Sequence, residues 1–280
     1  MDRRHFMQAA LAAPALPGPG LAAPGPGFHL GAVTYNTLKD YDLPQIIDVL
    51  GKSGFEGVEL RTTHKHGVEP SIGAAERARV RKLFEAGKVK LACYGTTCEF
   101  HSPDASVRKE HVETGKRFVD LAVDTGAPGI KVRPNGFPKE VSRDTTIANI
   151  AAALRELGDY AGARKIGVWM EVHGRGTSEP AVCAEIMKAC RHPAVGVCWN
   201  SNHEEVRDGS IRQPFELLRR WIRHVHINDL SLAAYPWREL FTLLRQAGYR
   251  GYTLAEVAES KETERFLLYY RALWVELNRA

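Results

Sequence analysis

A chain of 280 residues, 44% hydrophobic and 25% charged, has the make-up of a globular protein with a sizeable core, which excludes disordered, collagen-like and disulfide-scaffold classes. Lys+Arg at 38 against Asp+Glu at 33 leaves +5, with no basic tract of the kind that follows nucleic acid and no apolar stretch long enough to span a bilayer. The five cysteines, Cys93, Cys98, Cys183, Cys190 and Cys198, are odd in number and lack Cys-x-x-Cys spacing, so a zinc ribbon or a complete disulfide framework is disfavoured and buried apolar positions are expected.

The chain opens with a segment unlike the rest. Residues 1–27 carry Arg3-Arg4-His5-Phe6, then an Ala/Leu stretch and a Pro/Gly-rich tail with small residues around Leu21-Ala22-Ala23. This order resembles a twin-arginine signal peptide, which implies export of an already folded protein to the periplasm or outside the cell, the mature chain starting between Ala23 and Phe28.

From Phe28 onward short β-branched or aromatic runs alternate with longer amphipathic segments. Strands are predicted at His29 to Tyr35, Gly57 to Arg61, Lys90 to Tyr94, Gly129 to Arg133, Gly167 to His173, Ala194 to Asn200, His224 to Asp229 and Tyr252 to Val257. Helical periodicity marks Leu43 to Gly51, Glu76 to Ala86, Lys109 to Val123, Ile147 to Ala163, Ala181 to Ala189, Phe215 to Ile222 and Trp237 to Gln246. Eight strand-then-helix units without an intervening linker predict a single α/β domain over residues 28–280, a (β/α)₈ TIM barrel. No Gly-x-Gly-x-x-Gly follows the first strand, so an open dinucleotide-binding sheet is the poorer fit.

Chemistry in such barrels collects at the C-terminal ends of the strands. Period two places Glu171 with His173 on the fifth strand and His226 with Asn228 on the seventh; Asn200 ends the sixth, and Glu256 interrupts the apolar eighth. A charge inside a barrel strand is costly unless it is paired, solvated or bound to metal. Four consecutive strands delivering Glu171, Asn200, His226 and Glu256 to one end therefore predict a divalent metal site (Mn, Mg, Co or Zn) of mixed oxygen and imidazole ligands, with a metal-free polar layer as the alternative.

The phrases Gly54-Phe55-Glu56-Gly57-Val58-Glu59-Leu60, Met170-Glu171-Val172-His173-Gly174, Trp199-Asn200-Ser201-Asn202-His203, His224-Val225-His226-Ile227-Asn228-Asp229 and Gly251-Tyr252-Thr253-Leu254-Ala255-Glu256-Val257, in that order, resemble the xylose isomerase-like barrel superfamily in its sugar phosphate isomerase/epimerase branch. The resemblance covers essentially all of Phe28 to Ala280. It implies a metal held by Glu171, Asn200, His226 and Glu256, and a substrate-contacting histidine at His203. Asn200 departs from the family's aspartate, which removes one negative charge from the ligand set, and no arginine follows the seventh strand where epimerases of the family have one.

Around this set, Lys131 and Arg133 alternate on the fourth strand and can bind sugar oxygens, a carboxylate or an enolate. Glu59 and Arg61 share a face of the second strand, as an ion pair beneath the pocket or as substrate contacts; His64, His66, Glu99 and His101 lie on loops at the same end. Tyr35, Trp169 and Trp237 offer flat surfaces to a sugar ring. The expected activity is metal-dependent isomerisation or epimerisation of a small carbohydrate by proton abstraction next to a carbonyl, through an enediolate. Glu171 or Glu256 would exchange the proton, and His203, His173 and Lys131 would stabilise oxyanion charge.

A lyase or hydratase acting on an oxidised 3-keto glycoside would share the first step, and a carbohydrate-binding barrel that has lost its metal is the non-enzymatic alternative. A trinuclear-zinc nuclease of the endonuclease IV kind is disfavoured: no Asp-x-His follows the seventh strand and no basic tract would follow a duplex, so no nucleic-acid partner is expected. The family's frequent dimers and tetramers leave a homo-oligomer open.

Overall fold

A computed structural model describes residues 27–279; apart from Gly27, the segment expected to be an export leader lies outside them. The elements run β1 (His29–Val33), α1 (Leu43–Lys52), β2 (Gly57–Arg61), α2 (Ala74–Ala86), β3 (Lys90–Glu99), α3 (Ala105–Thr125), β4 (Gly129–Arg133), α4 (Arg143–Gly162), β5 (Gly167–Glu171), α5 (Pro180–Cys190), β6 (Val195–Trp199), α6 (Arg212–Leu218), β7 (Ile222–Ile227), α7 (Trp237–Gln246), β8 (Tyr252–Ala255) and α8 (Thr263–Leu277). The eight strands pair in parallel in chain order, and β8 closes onto β1. The predicted (β/α)₈ barrel is thus the observed fold.

Local chemistry explains where the helices begin. Asp42 caps α1 in a reciprocal box with Gln45, while Asp104 and Ser142 accept from the first-turn amides of α3 and α4. Gly126 ends α3 at φ 84°, a conformation that favours glycine. The predicted helix over Phe215 to Ile222 is shorter than its periodicity, because the chain tightens into a 3₁₀ turn at Arg219–Trp221 and β7 starts at Ile222. Helix α8 was not among the segments read from periodicity. Its buried stripe, Leu267, Tyr270 and Trp274, is blurred by exposed Leu268 and Tyr269 on the other face.

Strands β5 to β8 stop one to two residues short of the predicted ends. The backbone beyond them is still tethered: Val172 N donates to Cys198 O at 3.0 Å and Glu256 N to Ile227 O at 2.9 Å. Asn200 and Glu256, just past β6 and β8, are thereby held at the rim.

The main core lies between the sheet and its ring of helices, while the barrel interior carries larger and more polar groups. At its floor the indole of Trp169 crosses both Gly129 and Gly167, where a Cβ would come within 2.7 Å of ring atoms, and stacks on His224 with centroids 4.6 Å apart. A Cβ at Gly95 would likewise collide with Glu59. Missing side chains on neighbouring strands therefore make room for a layered interior of Trp169, His224, Glu59 and His226, above which the candidate site sits.

Candidate functional site

The inward parity of β5 to β8 brings Glu171, Asn200, His226 and Glu256 together. His226 Nδ1 lies 3.3 Å from Asn200 Oδ1, 3.3 Å from Glu256 Oε2 and 3.6 Å from Glu171 Oε1. The ligand atoms of Glu171, His226 and Glu256 lie within 4.8 Å of one another, with Glu171 and His226 buried and Glu256 half-buried. Asn200 is oriented from behind: its Nδ2 donates to Asn202 Oδ1 at 3.4 Å, and Asn202 is fixed by its own amide donating to Val172 O.

Two carboxylates, one amide oxygen and one ring nitrogen converging in a buried space repel one another through their lone pairs unless a cation or a proton lies among them. Burial works against charging the His226 ring, yet Cys198, Glu59 and Glu256 outweigh it and raise the imidazole well above its ordinary range. The cage thus demands positive charge, and its mixed oxygen and imidazole donors fit a hard or borderline divalent ion.

Lys131 joins this group through Glu171, its Nζ donating to Oε2 at 2.7 Å. Both side chains are almost wholly buried. Burial opposes ionisation of Glu171, but Lys131 and then His226 overcome it and hold the carboxyl well below the usual carboxylate range. Burial opposes charging of Lys131 as well, and Glu171, Glu59 and Glu256 keep it charged.

Glu59 lies beneath the cage rather than in a substrate's path. It is 0% exposed, and its Oε2 accepts from both His224 Nε2 at 2.7 Å and His226 Nε2 at 2.9 Å. The expected ion pair with Arg61 is absent; Arg61 instead lies over the Tyr35 ring, 5.2 Å from its centroid. Its backbone N–H donates to Thr34 Oγ1 at 3.0 Å, which leaves the Thr34 hydroxyl to donate to His64 Nδ1 at 2.9 Å. Burial first, then Arg61 and His66, bring His64 down to about 4, so its ring is neutral near pH 7. His66 is a loop tie: Nε2 donates to Arg61 O at 2.8 Å while Nδ1 accepts from Val68 N at 3.0 Å.

Next along the rim, on β3 and β4, Arg133 pairs with Glu99. Arg133 Nε, His101 Nδ1 and His173 Nδ1 are buried polar atoms with no partner among the described residues. The three residues stand where strands β3 to β5 end and are themselves half-buried, so each side chain reaches the mouth although these atoms are covered.

His203 stays outside the group. It sits in a 3₁₀ turn beyond β6 with its side chain 92% exposed and Nδ1 3.1 Å from Glu204 Oε2. Neither tryptophan offers a sugar platform: Trp169 forms the barrel floor, and Trp237 is buried against Tyr235. All five cysteines are free and buried.

Two groups escaped the sequence reading. His224 has the same parity as His226, and the His-x-His spacing on β7 carried that signal. Behind β6, Trp199 Nε1 donates to Tyr235 Oη at 2.9 Å, Tyr235 donates to Glu205 Oε2 at 2.7 Å, and Asn200 N donates to Glu205 Oε1 at 3.4 Å. Burial pushes the Glu205 carboxyl up to about 8. No local pattern foretells this network, because Tyr235 comes from the segment after β7.

A family profile described as xylose isomerase-like TIM barrel matches residues 47–272. Among solved structures, the chain is similar to D-psicose 3-epimerase with D-tagatose from Clostridium cellulolyticum H10, at TM-score 0.78 and 14% identity over 90% of this chain and 100% of that one. It is similar to the IOLI protein with a binding zinc atom, at TM-score 0.74 and 15% identity over 90% and 98% of the two chains. It is also similar to 3-keto-D-glucoside 4-epimerase YcjR from E. coli, at TM-score 0.74 and 15% identity over 89% and 99%. Likeness at these identities carries the fold.

Proposed function

Because the chain belongs to the xylose isomerase-like TIM barrel family, we propose that it is a metal-dependent enzyme that removes a proton from the carbon next to a carbonyl of a small carbohydrate, as an isomerase or epimerase. The observation that carries this reading is the convergence of Glu171, Asn200 and Glu256 on His226 Nδ1. These four residues would hold the ion, and a bound divalent ion supplies polarisation of carbonyl and hydroxyl oxygens. The zinc atom in the IOLI protein supports the fit, as do the sugar substrates named for the two epimerases.

The chain's own residues divide the remaining work. Glu256, its side chain 19% exposed, is the carboxylate a substrate reaches from the mouth and takes the proton. Glu171, committed to Lys131 through Oε2, is the more firmly held partner. The Lys131 ammonium places a buried positive charge beside the cage, where negative charge develops on the substrate's oxygen. His101, His173 and Arg133, half-buried at the mouth, hold the substrate's hydroxyls.

The similarity to a 3-keto-D-glucoside epimerase supports an oxidised glycoside as substrate, and the second reading is that the same site eliminates a group from it. Arg3-Arg4-His5-Phe6 supports a periplasmic or secreted place of work.

The test is elemental analysis of the purified protein together with deuterium exchange from solvent into a panel of ketoses and 3-keto glycosides. Exchange that needs a divalent ion and falls about 10²- to 10⁴-fold in Glu256→Gln is expected. Sugar binding indifferent to chelators, without exchange, would make the protein a binding barrel instead.

A further inference from the structure

Position 59 is hard to explain by packing. A carboxylate there is fully buried, its Oε1 has no hydrogen-bond partner among the described residues, and it fits only because Gly95 on the next strand has no side chain. An apolar side chain of similar size would avoid that unmet desolvation. What Glu59 gains is on its other oxygen, which receives the Nε2 atoms of His224 and His226 from across the barrel.

We infer that Glu59 is the positioning residue of the candidate metal centre: it keeps the His226 proton on Nε2 and so presents Nδ1 as the ligand atom facing Asn200, Glu171 and Glu256. An ionised carboxylate only accepts, so the ring nitrogen at 2.9 Å must bring the hydrogen. A metal that binds displaces the Nδ1 proton of the ring, and the one N–H that remains sits on Nε2 against Glu59. The same carboxylate makes the ring a stronger donor, which returns to the site part of the negative charge that Asn200 does not supply. Support continues downward. His224 holds Glu59 Oε2 from the floor and is itself fixed by stacking on Trp169, the planes 18° apart.

The consequence for metal binding rests on the reading of the site given above, whereas the hydrogen bond can be tested separately. With ¹⁵N-labelled histidine in the Zn²⁺-loaded full chain, His226 should show a protonated Nε2 and a metal-shifted Nδ1; metal on Nε2 would overturn the inference. Glu59→Gln, which removes the negative charge, should weaken Mn²⁺ and Zn²⁺ binding about 10- to 100-fold by calorimetry, while His224→Gln, whose amide can still donate to Glu59, should stay within about threefold of the wild type. Unchanged affinity in Glu59→Gln, or equal losses in both variants, would reduce Glu59 to a packing role.

A wild-type chain that binds neither ion would overturn the metal reading itself. The His226 Nε2 proton resonance, present in the wild type and lost in Glu59→Leu, which has no acceptor, then still decides whether Glu59 fixes the ring.

Discussion

Lys131 and Glu171 face each other with almost no solvent, and such pairs are costly to break because the survivor is left as a lone buried charge. Lys131→Met is therefore expected to destabilise the protein by about 3–5 kcal/mol in urea unfolding at neutral pH, far more than loss of a surface pair such as Lys52 with Asp48. Asn200 makes the opposite case. It supplies an oxygen without a charge, so Asn200→Asp should tighten Mn²⁺ binding roughly tenfold by calorimetry, through the added carboxylate. Residue parity made Glu171, His226 and Glu256 legible from sequence, since alternation along each strand assigns a face. It could not foretell that Lys131 would settle on Glu171 or that Glu59 would lie under His226, because both depend on which strands meet across the barrel axis.

At the scale of elements, the segment after β6 shows how a short turn can govern pH behaviour. Glu205, at the end of the 3₁₀ turn His203–Glu205, is buried and raised to about 8, against about 4.3 in an unfolded chain. Between those values the folded state holds a proton that the unfolded state has lost, so stability falls as pH rises and levels off above pH 8, by up to about 1.4 kcal/mol per unit for one group. Glu205→Gln should flatten the slope between pH 5 and 8 in thermal melts, with the larger gain over wild type on the alkaline side. Element order was legible because β-branched runs and amphipathic segments alternate without interruption. Boundaries were not, since strand ends are set by the last inter-strand bond, and α8 hides its stripe behind exposed Leu268 and Tyr269.

For the whole molecule, the mild excess of positive charge has its most buried instance in Lys131, inside the barrel, and the exposed basic residues of α2 are largely paired, Arg79 with Glu76 and Arg81 with Glu85. The proposed export is testable at this scale. Replacing Arg3 and Arg4 together by lysine should leave the protein in the cytoplasm by cell fractionation, with the purified barrel melting at an unchanged temperature.

Strand β1 finds one of its two neighbours early, in β2, but waits for the other until β8 has been made, because His29 to Ala32 pair with Tyr252 to Ala255. The ring is therefore closed by contacts among the most distant in the sequence, and helix α8 seals the seam, Trp274 Nε1 donating to Thr253 Oγ1 at 3.0 Å and Tyr270 to Asn228 O at 2.7 Å. A chain cut before β8 would hold Glu171, Asn200 and His226 but lack Glu256 and the support of α8, and so would have an open seam and no complete cage. The proposed site is thus complete only once β8 has closed the ring.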